Sequence, residues 1–80
     1  MRVVKEIGHS QCKITIYAWN NRYLIKLEQS GLEQTYKVDM SDLSEPEVVA
    51  LIDDEFIRQA SNRFLEMSQS LGAAIDRLSG

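Results

Sequence analysis

The sequence predicts an α+β domain in which a four-stranded antiparallel β-meander is followed by two helices. Apolar and polar residues alternate in four runs, turn residues separate these runs, and apolar residues at helical spacing take over after residue 53. We expect strands at about 2–7, 12–18, 23–29 and 32–38, a short helix at about 45–52, and a longer C-terminal amphipathic helix from about 54 to 71 or to 78. Residues 1–80 form a single domain, with 72–80 as a candidate frayed end.

The best-defined element is the central hairpin. Asn20-Asn21 separates two alternating runs, and asparagine tolerates the positive φ of a type I′ turn. A two-residue loop sets the pairing, so that Trp19 faces Arg22 and each earlier residue faces a correspondingly later one. One side then collects Ile14, Ile16, Ala18, Tyr23, Ile25 and Leu27, and the other collects Lys13, Thr15, Tyr17, Trp19, Arg22, Leu24, Lys26 and Glu28. The first side is predicted to be buried.

The last strand is predicted from the turn signal Ser30-Gly31 and the alternating run that follows it. The inward residues are Leu32, Gln34, Tyr36 and Val38. The same pairing places Glu28 opposite Glu33, a like-charge pair that costs stability unless Lys13 or Lys26 compensates it.

The first strand, at about 2–7, has no clean apolar face. This pattern is typical of an exposed edge strand, and Gly8 ends it.

Two helix starts are marked by capping residues. Ser44-Glu-Pro-Glu47 matches a capping box with proline in the first turn. Asp53 is a suitable N-cap for a second helix, so we expect a break between the helices near this residue.

The second helix carries a continuous apolar stripe of residues three and four apart: Ile57, Ala60, Phe64, Met67, Leu71, Ala74 and Leu78. A helix from 54 to 78 would be about 37 Å long, whereas a seven-residue strand spans about 23 Å. Either Gly72 ends the helix, or its last turns carry Met67, Leu71, Ala74 and Leu78 to another surface, such as a second copy of the chain. These four residues are the candidate self-association stripe.

Composition points to an ordinary globular protein. Apolar residues make up 44% and charged residues 26% of the chain. The N-terminus lacks the apolar run of a signal peptide and no stretch is long and apolar enough to span a bilayer, so we expect a cytoplasmic protein without a membrane partner. Cys12 is the single cysteine, which excludes an internal disulfide.

Catalytic and metal-binding patterns are not found in the sequence. His9 and Cys12 supply two ligands, whereas a stable zinc site needs three or four. The acidic residues between 39 and 55 lack the central glycine of a calcium loop, and no glycine-rich phosphate loop occurs. We therefore predict no metal, no cofactor and no enzymatic activity.

Charge is distributed unevenly along the chain. Residues 1–38 hold six basic and three acidic side chains, and residues 39–80 hold three basic and nine acidic ones. Basic and aromatic residues interleave on the solvent side of the predicted sheet, a pattern typical of surfaces that bind single-stranded nucleic acid. This candidate contact face consists of Lys13, Tyr17, Trp19, Arg22, Leu24, Lys26 and Lys37.

Four strands followed by a helix resemble the dimeric single-strand-binding fold of transcriptional coactivators. The resemblance is one of topology and carries no residues across. It would imply a nucleic-acid ligand, which the sequence pI of about 5.0 disfavours.

Three functions are open at this point. The leading hypothesis is a non-enzymatic interaction domain that forms a homodimer or binds a protein partner. The alternatives are a single-stranded nucleic-acid-binding module that uses the solvent side of the sheet, and a small enzyme whose site is not visible in the sequence.

Overall fold

The computed structural model describes residues 1–80 and confirms the predicted α+β fold. The elements are β1 (Arg2–Gly8), β2 (Lys13–Trp19), β3 (Arg22–Gln29), β4 (Leu32–Asp39), α1 (Glu45–Leu51) and α2 (Asp54–Ser79). The strands lie in the order β1-β2-β3-β4, and each pairs antiparallel with its neighbours, as expected of a meander.

The central hairpin has the predicted register. Asn20 and Asn21 adopt φ angles of 50° and 62°, the left-handed conformation that a type I′ turn requires. Trp19 pairs with Arg22, and the pairing continues without a shift to Lys13 and Glu28. The predicted inner and outer sides of these two strands are therefore confirmed.

The like-charge pair between β3 and β4 is also present, and a lysine compensates it. Glu28 lies opposite Glu33, and the Nζ atom of Lys26 lies 3.8 Å and 3.4 Å from their carboxylate oxygens. The two carboxylates raise the pKa of Lys26, which keeps this lysine charged. Of the two lysines proposed for this role, Lys26 performs it.

A β-bulge explains why the first strand lacks a clean apolar face. Val3 pairs with Tyr17 and Lys5 pairs with Ile16, so Val4 is the extra residue between them. Because of the bulge, Val4 and Ile7 both pack against the core although they are three residues apart. The strand lies at the sheet edge, as predicted.

The hydrophobic core lies between the inner side of the sheet and the two helices. Its members are Cys12, Ile14, Ile16, Tyr23, Ile25, Leu27, Val48, Ile57, Ala60 and Phe64. The strands β2 and β3 contribute five of these residues, Cys12 lies just before β2, α1 contributes Val48, and α2 contributes the last three. Phe64 is the largest fully buried side chain, and with Ile57 and Ala60 it holds the first half of α2 to the sheet.

Polar inward residues of β4 hold α2 along this strand. The Nε2 atom of Gln34 donates to the Ala60 carbonyl oxygen at 2.9 Å, and Arg63 Nε donates to Gln34 Oε1 at 3.0 Å. The Tyr36 ring lies 5.6 Å from the Phe56 ring and 5.9 Å from the Arg63 guanidinium carbon. Tyr36 contacts Phe56 and Gln34 contacts Ala60. Residue numbers therefore decrease along β4 as they increase along α2, so the two elements run antiparallel.

Both predicted helix caps form. Glu47 donates its backbone N–H to Ser44 Oγ at 3.4 Å, and Ser44 donates its N–H to Glu47 Oε1 at 2.9 Å. Asp53 Oδ1 accepts the backbone N–H of Phe56 at 2.8 Å. The break between α1 and α2 therefore falls at residues 52–53, where Ile52 is the C-cap of α1 and Asp53 is the N-cap of α2.

The helix α2 outruns the sheet. It continues through Gly72 to Ser79, and its 26 residues span about 39 Å. The molecule measures 49 × 26 × 19 Å and has a radius of gyration of 14.8 Å, compared with about 12 Å for a compact chain of this length. The helix therefore does not end at Gly72, and the alternative in which its last turns extend past the sheet is the one observed.

Replacing Phe64 by alanine should remove the main anchor of α2. We expect Phe64→Ala to lower the free energy of unfolding by about 3–5 kcal/mol because it leaves a cavity in the core. The adjacent Leu65 is exposed, so Leu65→Ala should change the same quantity by less than roughly 0.5 kcal/mol. Urea unfolding followed by circular dichroism measures both, and equal effects would contradict the assigned core.

The capping box should make stability depend on pH. Hydrogen bonds from Ser44 lower the pKa of Glu47, so its stabilisation is present above about pH 4.3, the ordinary glutamate value, and is lost as the pH falls through the lowered pKa. We expect Glu47→Ala to be less stable than the parent at pH 7 and the difference to shrink in acid. Glu47→Gln keeps an acceptor without the charge and should show a smaller, pH-independent loss in urea titrations.

Candidate functional site

The outer face is the side of the sheet that points away from both helices. Its register places Tyr17, Leu24 and Lys37 side by side across three strands, with Trp19 and Arg22 in the next row. Trp19 is 51% exposed, while Tyr17 and Leu24 are half-buried. At this end of the sheet lies an open depression of about 430 Å³, lined by Trp19, Asn20, Asn21, Arg22, Leu24, Lys37 and Asp39.

Charges on the outer face are balanced. The register interleaves the basic residues Lys13, Arg22, Lys26 and Lys37 with the acidic residues Glu6, Glu28, Glu33 and Asp39. Hydrogen bonds from the Ser41 backbone N–H and hydroxyl, both 2.9 Å long, lower the pKa of Asp39 and keep it ionised. The positive excess of residues 1–38 is thus not concentrated on this face, which counts against a polyanionic ligand.

The cations of the predicted contact face differ in their surroundings. Lys26 is bound by Glu28 and Glu33. Arg22 lies opposite Asp39 and Lys37 lies opposite Leu24, and neither forms an ion pair within 4.0 Å. Thr15 is almost completely buried between its neighbours on the same face. Arg22 and Lys37, two cations without an ion pair, therefore lie in the half of the face that contains Trp19.

The candidate self-association stripe lies on the C-terminal half of α2. Met67 is half-buried against the core, Ala74 is half-buried, and Leu71 and Leu78 are 52% and 89% exposed. Ile75, outside the four predicted residues, is 53% exposed and widens the apolar surface. The stripe begins beneath the end of β4 and continues past it, so its last turns have no sheet to pack against.

An apolar groove joins the stripe to the sheet. It has a volume of about 600 Å³ and is lined by Leu32, Glu66, Met67, Ser70, Leu71 and Ala74. Leu32 is the first residue of β4, so the groove opens where the free edge of this strand meets α2. Met67, Leu71 and Ala74 were predicted from the helical spacing, whereas Leu32 of β4 was not.

The strand β4 has a free edge. All eight residues of β4 pair with β3 in unbroken register, and its other side has no neighbouring strand. The sequence indicates this free edge, because the last strand of a meander is always an edge strand and residues 32–39 contain no proline.

His9 and Cys12 do not form a common site. His9 is exposed and its Nδ1 accepts the backbone N–H of Gln11 at 3.0 Å. Cys12 lies in the core, where burial raises the pKa of its thiol. The structure contains no group of three or more His, Cys, Asp or Glu side chains that could hold a metal ion together.

The acidic residues between 39 and 55 mostly act locally. Glu47 and Asp53 cap helices, and Asp39 accepts hydrogen bonds from Ser41. Glu55 binds Arg58, which lowers the pKa of Glu55 and raises the pKa of Arg58. These shifts arise from caps and ion pairs on exposed side chains.

None of the helices combines the length and the apolar content needed to cross a bilayer. Comparisons with protein-family models, with curated proteins and with solved structures found no match for this chain. The candidates for a functional site are therefore the outer face and the apolar stripe of α2.

Proposed function

We propose that this chain is a non-enzymatic interaction domain that associates with a second copy of itself, using the C-terminal half of α2. The observation that carries the proposal is the apolar stripe that continues past the end of the sheet. Leu71, Ile75 and Leu78 are more than half exposed there, although they continue the line of the buried Phe64.

Helix stability supports this proposal. Residues 75–79 are all exposed and lie past the groove that Leu32 lines, and a helix end that lacks tertiary packing depends on its intrinsic helix propensity. Glycine at position 72 lowers that propensity by about 1 kcal/mol relative to alanine. Packing of the stripe against a partner would supply the missing stabilisation.

Contiguity of the apolar surface also supports it. Single exposed apolar side chains are normal on soluble proteins, whereas a contiguous apolar patch marks an interaction site. Here the groove and the exposed leucines form one surface that runs along a single helix.

Two lysines in the stripe should abolish self-association. We expect the parent protein to be dimeric at high micromolar concentration and the double variant Leu71→Lys, Leu78→Lys to be monomeric, because the lysines oppose burial of the stripe. Size-exclusion chromatography with light scattering measures the mass. The pair Gln69→Lys, Asp76→Asn makes the same change in net charge outside the stripe and should stay dimeric. A parent protein that is monomeric at high micromolar concentration would contradict the proposal.

A second candidate function is single-stranded nucleic-acid binding on the outer face. The observation that favours it is the exposed Trp19 beside Arg22 and Lys37, two cations without an ion-pair partner. Four carboxylates on the same face disfavour it, so we rank it below self-association.

Fluorescence can separate the two functions, because Trp19 is the single tryptophan. We expect short single-stranded oligonucleotides to leave its emission unchanged at low salt, where electrostatic binding would be strongest. Trp19→Phe provides the background signal. Quenching that weakens as salt is added would reverse the ranking.

A further inference from the structure

The backbone of β4 presents four residues to its free edge. Met40 donates its N–H to the Asn21 carbonyl oxygen at 3.0 Å, so Met40 points its backbone groups toward β3. In an antiparallel ladder this direction alternates from one residue to the next. The backbone groups of Glu33, Thr35, Lys37 and Asp39 therefore point away from β3, where no strand covers them. Of these groups, the Asp39 carbonyl accepts the Asp42 N–H at 3.0 Å, so the free positions are Glu33, Thr35 and Lys37.

The two edges of the sheet differ in their protection against pairing. On β1, the bulge at Val4 interrupts the regular ladder. On β4, eight residues run without bulge or proline. Proteins protect edge strands with bulges, proline and charged side chains. β4 has only the charged side chains Glu33, Lys37 and Asp39, so its regular backbone is a template for a strand whose charges complement its own.

The side chains of β4 favour one strand as that partner, namely β4 of another copy. When two copies pair antiparallel about a two-fold axis at Thr35, Glu33 of each copy lies opposite Lys37 of the other. On the inner side, Leu32 lies opposite Val38. Both the charges and the apolar residues are thus matched in this register.

Neighbouring registers that keep the inner sides together are worse. An axis at Gln34 places Glu33 opposite Thr35 and leaves Lys37 without an acidic partner. An axis at Tyr36 places Glu33 opposite Asp39, a like-charge pair. The self-complementary pattern therefore selects the register centred on Thr35.

We propose that two copies of this chain pair through their β4 edges about an axis at Thr35 and form a continuous eight-stranded antiparallel sheet. The proposal rests on the self-association proposed above and names its contact. About six backbone hydrogen bonds form, two at each pair of residues that face one another with free backbone groups.

The same arrangement accounts for the apolar groove. Leu32 lines the groove, and the axis brings Val38 of the second copy opposite Leu32. Met40 follows two residues later on the same side of the sheet and is half-buried in its own chain. Val38 and Met40 of one copy thus reach the groove beside Leu71 of the other, so the edge and the stripe form one interface.

Proline at position 35 tests the edge selectively. The N–H of Thr35 points to the free edge, so Thr35→Pro removes intermolecular hydrogen bonds and keeps the ladder to β3. We expect this variant to be folded by circular dichroism and to dissociate at least tenfold more readily than the parent. Thr35→Val keeps the N–H and should remain dimeric.

Charge reversal tests the register without a backbone change. By symmetry, Lys37→Glu creates two like-charge pairs, and we expect it to weaken the dimer about tenfold. The double variant Glu33→Lys, Lys37→Glu should recover association. Lys5→Glu makes the same charge change on the opposite edge strand and should have no effect.

The outcomes distinguish this inference from the broader proposal. Loss of association in Thr35→Pro and Lys37→Glu, with recovery in the charge swap, supports the β4 interface. If these variants stay dimeric while Leu71→Lys, Leu78→Lys is monomeric, self-association stands and the β4 interface is overturned. If Thr35→Pro does not fold, Lys37→Glu and its charge swap decide the question. A parent protein that is monomeric overturns both.

Discussion

The two-residue turn at Asn20-Asn21 is the constraint on which the rest of the structure depends. Both residues adopt positive φ, and this geometry sets the pairing of β2 with β3. A shift of one residue would carry Ile14 and Ile16 from the core to solvent. The turn thereby decides which side of the sheet receives α2 and which side becomes the outer face.

Length mismatch is the second determinant of this molecule. The strands have seven or eight residues, whereas α2 has 26 and runs along β4. Phe64 and the contacts of Gln34 hold the first half of α2, so the second half must extend past the sheet. An apolar stripe that is buried at one end and exposed at the other follows directly, and the exposed end is the one that we propose for self-association.

On the outer face, the strand register offsets the basic excess of residues 1–38. Residues 1–38 have an excess of basic side chains, yet the strand register places carboxylates beside the basic side chains on this face. Glu28 and Glu33 bind Lys26, and Asp39 lies opposite Arg22. A count along the chain suggests a basic surface, whereas the folded surface is mixed.

Local signals in the sequence determined the strands, both caps and the hairpin register, because turn and cap residues act over a few positions. The Val4 bulge was not predictable from alternation, since it is the packing of Val4 and Ile7 on one core that makes the extra residue favourable. The sequence does not determine whether α2 ends at Gly72, because one glycine lowers helix propensity without forbidding a helix. Only the tertiary structure decided where the stripe extends past the sheet and that Leu32 lines a groove with it. Only the tertiary structure showed that β4 has a free edge without a bulge. These features depend on contacts between residues far apart in sequence.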